Sequence, residues 1–102
     1  MNEVKLTQLA DFYLKYMVKE YSKNHKKTFS DWNKLRSMFP NEDEEFICDA
    51  FRKLSKDGLV INKWADNHPY LIELEINAII EAEENTLLKK TYDFLKEVRE
   101  WL

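Results

Sequence analysis

Apolar and polar positions follow a helical period along most of the chain and switch to a period of two only once. The sharpest pattern lies in 41–76, where Phe46, Ile47, Ala50, Phe51 and Leu54 fall at i, i+1, i+4, i+5 and i+8 and line one face of a helix. Gly58 supplies the left-handed residue that stops this helix, and the apolar Leu59 expected beside such a cap follows at once. The stretch 59–64 is β-prone and 65–69 is turn-forming. Beyond it Tyr70, Ile72, Leu74 and Ile76 alternate with Leu71, Glu73 and Glu75. A half-buried hairpin is predicted; being marginal alone in water, it must pack its apolar face on the helices.

Ahead of this segment, Leu6, Leu9, Ala10, Tyr13, Met17 and Tyr21, with Leu14 and Val18, predict a first helix over 6–23 that leaves Lys15, Lys19 and Glu20 outside its stripe. Trp32, Leu35, Met38 and Phe39 predict a short second helix. Thr28 or Ser30 is its expected cap, and Pro40 ends it by pushing Phe39 out of the α region. Asn41 is the expected N-cap of the third helix, with Glu44 at N3 and the acidic run 42–45 where the helix dipole favours negative charge.

After the hairpin the helical period returns through Ile79, Ile80 and Ala82, and a break near Asn85 or Thr86 precedes a last amphipathic helix. Leu88, Leu95 and Leu102 are seven apart with Thr91 and Val98 between them, an a/d-like seam over about two heptads. That stripe is wider than a small core needs, so Leu88, Leu95, Val98, Trp101 and Leu102 are the expected contacts of a homodimer. The expected fold class is mostly α with a small β-hairpin, in the order α-α-α-β-β-α. It is one domain over 1–102, with 77–102 as a C-terminal helical extension used for dimerisation.

Composition changes this picture little. With 102 residues, 44% apolar and 14% aromatic, the chain can bury a single core. A net charge of -3 on 34% charged residues neither demands nor forbids a polyanionic partner, but the charges are unevenly spread. Residues 1–40 carry eight Lys and Arg against four Asp and Glu, a balance of +4, whereas residues 41–102 carry eight against fifteen, a balance of -7. The single cysteine allows no intramolecular disulfide, and no apolar run approaches the roughly 20 residues that span a bilayer. The N-terminal residues have neither the apolar region nor the cleavage site of a signal peptide, so a cytoplasmic protein without membrane partners is expected.

A three-helix unit with a short turn between its second and third helices, followed immediately by a hairpin, resembles a winged helix-turn-helix domain over roughly 6–76. The junction Leu54-Ser55-Lys56-Asp57-Gly58-Leu59-Val60 is similar to the helix-to-wing junction of many winged-helix regulators. A strand ending in Leu74-Glu75-Ile76, a following helix ending in Glu83-Glu84-Asn85 and a lysine-rich last helix resemble the small YjcQ-like proteins of firmicutes and their prophages. That family usually has a threonine at the start of this helix and a lysine-glycine step within it; here Asn77-Ala78-Ile79-Ile80-Glu81 stands instead. The resemblance implies a winged-helix fold and a regulatory role, with no catalytic residue.

In such a domain the third helix would enter the major groove of double-stranded DNA, and the 63–68 tip would touch phosphate or the minor groove. The expected contacts are Lys26, Lys27, Lys34 and Arg36 on the backbone, with Arg52, Lys53, Lys56 and Lys63 beside them. The basic run Lys23, His25, Lys26 and Lys27 reads first as a solvated helix end and second as a phosphate contact. Against base readout stand Glu42, Asp43, Glu44, Glu45 and Asp49, which repel phosphate at the end of the helix that approaches the bases. The alternative is therefore a protein-interaction module, a phage-type modulator of a host protein, that meets a basic partner with its acidic third helix.

Cys48 is expected on the polar side of that helix together with Glu45, Asp49, Arg52, Lys53 and Lys56. With no second cysteine and no histidine at i+3 or i+4, a free thiol is expected and a zinc ligand is not. His25 and His68 fall in predicted loops, and no nucleophile, base and orienter set, paired-carboxylate site or phosphate-cradling glycine loop is present. Neither an enzyme nor a cofactor is expected. Trp32 is expected in the core. Trp64 and Tyr70 are expected to pack across the hairpin, with an exposed Trp64 as an alternative interaction anchor.

Overall fold

A computed structural model describes residues 4–84 of the chain. It contains helices α1 (Leu6–Asn24), α2 (Trp32–Ser37), α3 (Glu44–Lys56) and α4 (Ile76–Glu84), and strands β1 (Thr28–Phe29), β2 (Val60–Ala65) and β3 (His68–Leu74). The elements run α1-β1-α2-α3-β2-β3-α4, a helical domain with a small three-stranded antiparallel sheet. The strand β1 is absent from the expected order.

Helix ends follow the local chemistry, with two shifts from expectation. Helix α2 is capped by Asp31, whose carboxylate accepts from the Lys34 N–H at 3.1 Å, because Thr28 is drawn into β1. Helix α3 starts two residues later than an Asn41 cap would place it. A turn closed by the Glu42 N–H on the Phe39 carbonyl occupies 39–42, and Asp43 caps instead, accepting from the Glu45 N–H at 3.2 Å. Its other end is as expected. Gly58 sits at φ 76°, its N–H bonds to the Ser55 carbonyl, and the Leu59 N–H reaches back to Leu54, the paired bonds of a Schellman cap.

Strands β2 and β3 are joined by Asp66 and Asn67, both at positive φ (52° and 67°), as a tight two-residue hairpin turn requires. Strand β3 is central, flanked by β2 on one side and by the short β1 on the other, with Phe29 opposite Ile72. Ile72 and Leu74 face the core as the period-two pattern predicts. Tyr70 and Ile76 do not. The β2–β3 ladder is irregular between Lys63 and Trp64, beyond which Pro69 is buried and Tyr70 is exposed, while Ile76 already belongs to α4.

The core forms between α1 and α3. Leu9, Ala10, Tyr13 and Met17 meet Ile47, Ala50, Phe51 and Leu54, with Tyr13 and Phe51 ring centroids 4.6 Å apart. The Tyr13 hydroxyl donates to the Leu35 carbonyl at 2.6 Å, which ties α2 to α1, and burial holds this phenol well above its ordinary pKa. Ala78, Ile79 and Ala82 of α4 close the core beside α1, while Ile80 is exposed. The predicted last helix, with Leu88, Leu95, Val98, Trp101 and Leu102, lies outside the described residues. No described helix is long and apolar enough to cross a membrane.

Candidate nucleic-acid interface

The eight basic residues singled out from the sequence are carried on four elements. Lys26 and Lys27 lie in the α1–β1 connection, Lys34 and Arg36 on α2, Arg52, Lys53 and Lys56 on α3, and Lys63 on β2. Seven are exposed and Lys53 is half-buried. Exposure alone does not make them equivalent, because their neighbours differ.

On α3 two of the three cations, Arg52 and Lys53, are already occupied. The Arg52 guanidinium lies 2.7 Å from Asp49 and 3.4 Å from Glu45, and it also stacks over the Trp64 ring at 4.7 Å. Lys53 bonds to Asp57 at 2.7 Å, an i,i+4 pair. Glu45 and Asp49 in the first half of α3 thus neutralise Arg52, and Asp57 at its C-terminal end neutralises Lys53. Lys56 and Lys63 make no ion pair among the described residues.

Arg36 belongs to a different cluster, centred on Glu44. That carboxylate accepts from the Trp32 Nε1–H at 3.0 Å and sits 3.7 Å from Arg36. The Trp32 indole in turn stacks on His68 at the start of β3, so one hub joins α2, α3 and the hairpin. A groove of about 510 Å³ runs over it between Asp31, Trp32, Arg36, Glu44, His68 and Tyr70. The sequence placed Trp32 in the core, where it is, but held no sign that His68 would cover it.

Lys26 and Lys34 form the third group. The Lys26 ammonium lies 5.2 Å from the Phe29 ring centroid and that of Lys34 lies 5.8 Å from Tyr16; the two rings are 5.9 Å apart. Hydrogen bonding to Tyr16, helped by Glu20 and Asp31, raises the Lys34 pKa above its ordinary value. Neither lysine is in an ion pair among the described residues. No motif or period in the sequence marks Tyr16 or Phe29, since their contact depends on β1.

Cys48 departs from expectation. It is buried, not solvent-facing, because the hairpin tip folds over the side of α3 and the Asn67 carbonyl accepts from the thiol at 3.7 Å. Burial pushes its pKa up to about 11, with Glu45, Glu44 and Asp49 adding to the effect and Arg52 opposing it. Such a thiol is a poor nucleophile and a poor metal ligand. No group of three or more His, Cys, Asp or Glu side chains converges to hold a metal ion among the described residues. Trp64 and Tyr70 are both partly exposed; Trp64 stands opposite Pro69 in the hairpin, and the Arg52 guanidinium lies over its ring. Comparison of the chain with protein-family models, curated proteins and solved structures returns no match.

Proposed function

We propose that residues 6–76 form a winged helix-turn-helix and that the chain is a cytoplasmic, non-enzymatic regulator of transcription that binds double-stranded DNA as a homodimer. The observation that carries this reading is the order of elements: α2 and α3 are joined by a short turn, and the β2–β3 hairpin follows α3 directly. Helix-turn-helix proteins present such a helix pair to the duplex, and the hairpin supplies a second contact. Lys26, Lys27, Lys34, Lys56 and Lys63 are exposed cations suited to phosphate. The dimer contacts are Leu88, Leu95, Val98, Trp101 and Leu102. Fluorescence anisotropy of a labelled duplex at low salt tests the reading. Binding that weakens steeply as salt rises is expected, and no binding, or binding indifferent to salt, overturns it.

A second reading is favoured by the capture of Arg52 by Glu45 and Asp49, which leaves the first half of α3 acidic on its outer side. In this reading that face meets a basic protein surface and the chain modulates the partner. Pull-down from a host lysate treated with nuclease separates the two. A partner retained after nuclease supports the second reading, and loss of every partner removes it.

A further inference from the structure

The geometry points to the α1–β1–α2 face, not the outer side of α3, as the surface that takes the duplex backbone, with Lys26 and Lys34 as its two seated phosphate contacts. This inference rests on the DNA-binding reading above and sharpens where the contact is made. Three observations lead to it.

The first is occupancy. For Arg52 or Lys53 to hold a phosphate it must leave a carboxylate 2.7 Å away, and the phosphate must approach Glu45, Asp49 or Asp57. The duplex would exchange one anion for another in a locally acidic field, with little net gain. Lys26 and Lys34 have no such competitor in contact, although Glu20 and Asp31 lie near enough to influence Lys34.

The second is preorganisation. Lysine side chains normally lose rotamer freedom when they bind. Here Lys26 rests on Phe29, Phe29 meets Tyr16, and Tyr16 carries Lys34, so a single aromatic pair positions two ammonium groups from different elements. Phe29 is itself held by its pairing with Ile72 in the sheet. The rings restrict the stems while the charged ends stay in solvent.

The third is the surrounding field. Lys23 and Lys27 are exposed beside Lys26, and Lys15 and Lys19 stand one helical turn apart on α1, where burial first and the charge of Lys19 second lower the Lys15 pKa. Like charges placed this way destabilise an isolated helix and are relieved by a bound polyanion. Contacts made to phosphate alone carry no base information, so this face binds duplexes of unrelated sequence with similar affinity.

The test compares three double variants of the full chain by anisotropy on one labelled duplex across a salt series. Lys26→Gln/Lys34→Gln is expected to bind about tenfold more weakly and to reduce the slope of log Kd against log salt by about 2. Lys26→Arg/Lys34→Arg, which keeps both charges, is expected to retain the wild-type slope. Arg52→Gln/Lys53→Gln is expected to leave the slope within about 0.5 of wild type. If the α3 variant loses the slope and the Lys26/Lys34 variant keeps it, the inference is overturned while DNA binding stands. Loss of binding in the Arg variant equal to that in the Gln variant also overturns it, since charge would then not be the cause. A wild-type chain that binds no duplex removes both this inference and the reading beneath it.

Discussion

The Trp32 indole lies flat against the His68 imidazole, with ring centroids 5.7 Å apart and planes 11° from parallel. This stack fastens the hairpin to α2, and the Nε1–H bond to Glu44 fastens the same side chain to α3. Trp32→Ala is expected to cost about 3–5 kcal/mol, the usual range for removing a buried large aromatic. Trp32→Phe keeps an apolar ring but removes Glu44's donor, and about 1 kcal/mol is expected. Urea unfolding followed by circular dichroism measures both, and equal midpoints for the wild type and Trp32→Ala would show that the stack contributes nothing.

Gly58→Ala isolates a backbone effect. An added Cβ would meet nothing within 4 Å, yet the residue sits at φ 76°. The expected cost is therefore the left-handed penalty alone, about 1–2 kcal/mol. Gly58→Asn should cost less, because asparagine tolerates this region better. A wild-type midpoint in Gly58→Ala would mean that the cap can form without a left-handed residue.

The buried Cys48 thiol makes stability depend on pH in the alkaline range. Its pKa is raised from 9.0 to about 11 by burial first and then by the nearby carboxylates. Between those values the unfolded thiol ionises while the folded one stays protonated, so the unfolded state holds fewer protons and stability falls as pH rises. Below pH 9 the difference vanishes. Urea midpoints of wild type and Cys48→Ala should thus be separated by a constant amount up to pH 9, and wild type should lose ground from there to pH 11. A constant separation throughout would show that the thiol is not shielded.

Glu45 and Asp49 restrain Arg52, and removing their charge should release it. Glu45→Gln/Asp49→Asn is expected to change stability by less than about 1 kcal/mol, since these are exposed pairs. The same variant should bind a duplex about tenfold more tightly, with a salt slope steeper by about 1 as Arg52 becomes available. Unchanged affinity and slope in an anisotropy titration would remove the proposed competition on α3.

The features readable in advance were those written in local periodicity or in single-residue constraints. The inner face of α3 follows from the spacing of Ile47, Ala50, Phe51 and Leu54, and its end from the one glycine. Strand β1 could not be foreseen, because two residues carry no period and Thr28–Phe29 become a strand only through pairing with Glu73 and Ile72. The caps are Asp43 rather than Asn41 and Asp31 rather than Thr28 or Ser30, because several suitable acceptors stand close together and tertiary turns choose between them. Cys48 borders the apolar face, and only the folding of the hairpin tip over α3 decides that it is buried. Each candidate contact is visible in the sequence only as a charge. Their sorting into those held by Asp49, Glu45, Glu44 or Asp57 and those resting on Tyr16 and Phe29 depends on packing between elements far apart in sequence.

The most direct measurement is a titration of the isotope-labelled chain with a short DNA duplex, followed residue by residue through its amide resonances at low salt. Shifts concentrated at Lys26, Lys27, Phe29 and Lys34, with the first two turns of α3 quiet, are the predicted result. Shifts centred on Glu45, Asp49 and Arg52, or none anywhere on the chain, would contradict it.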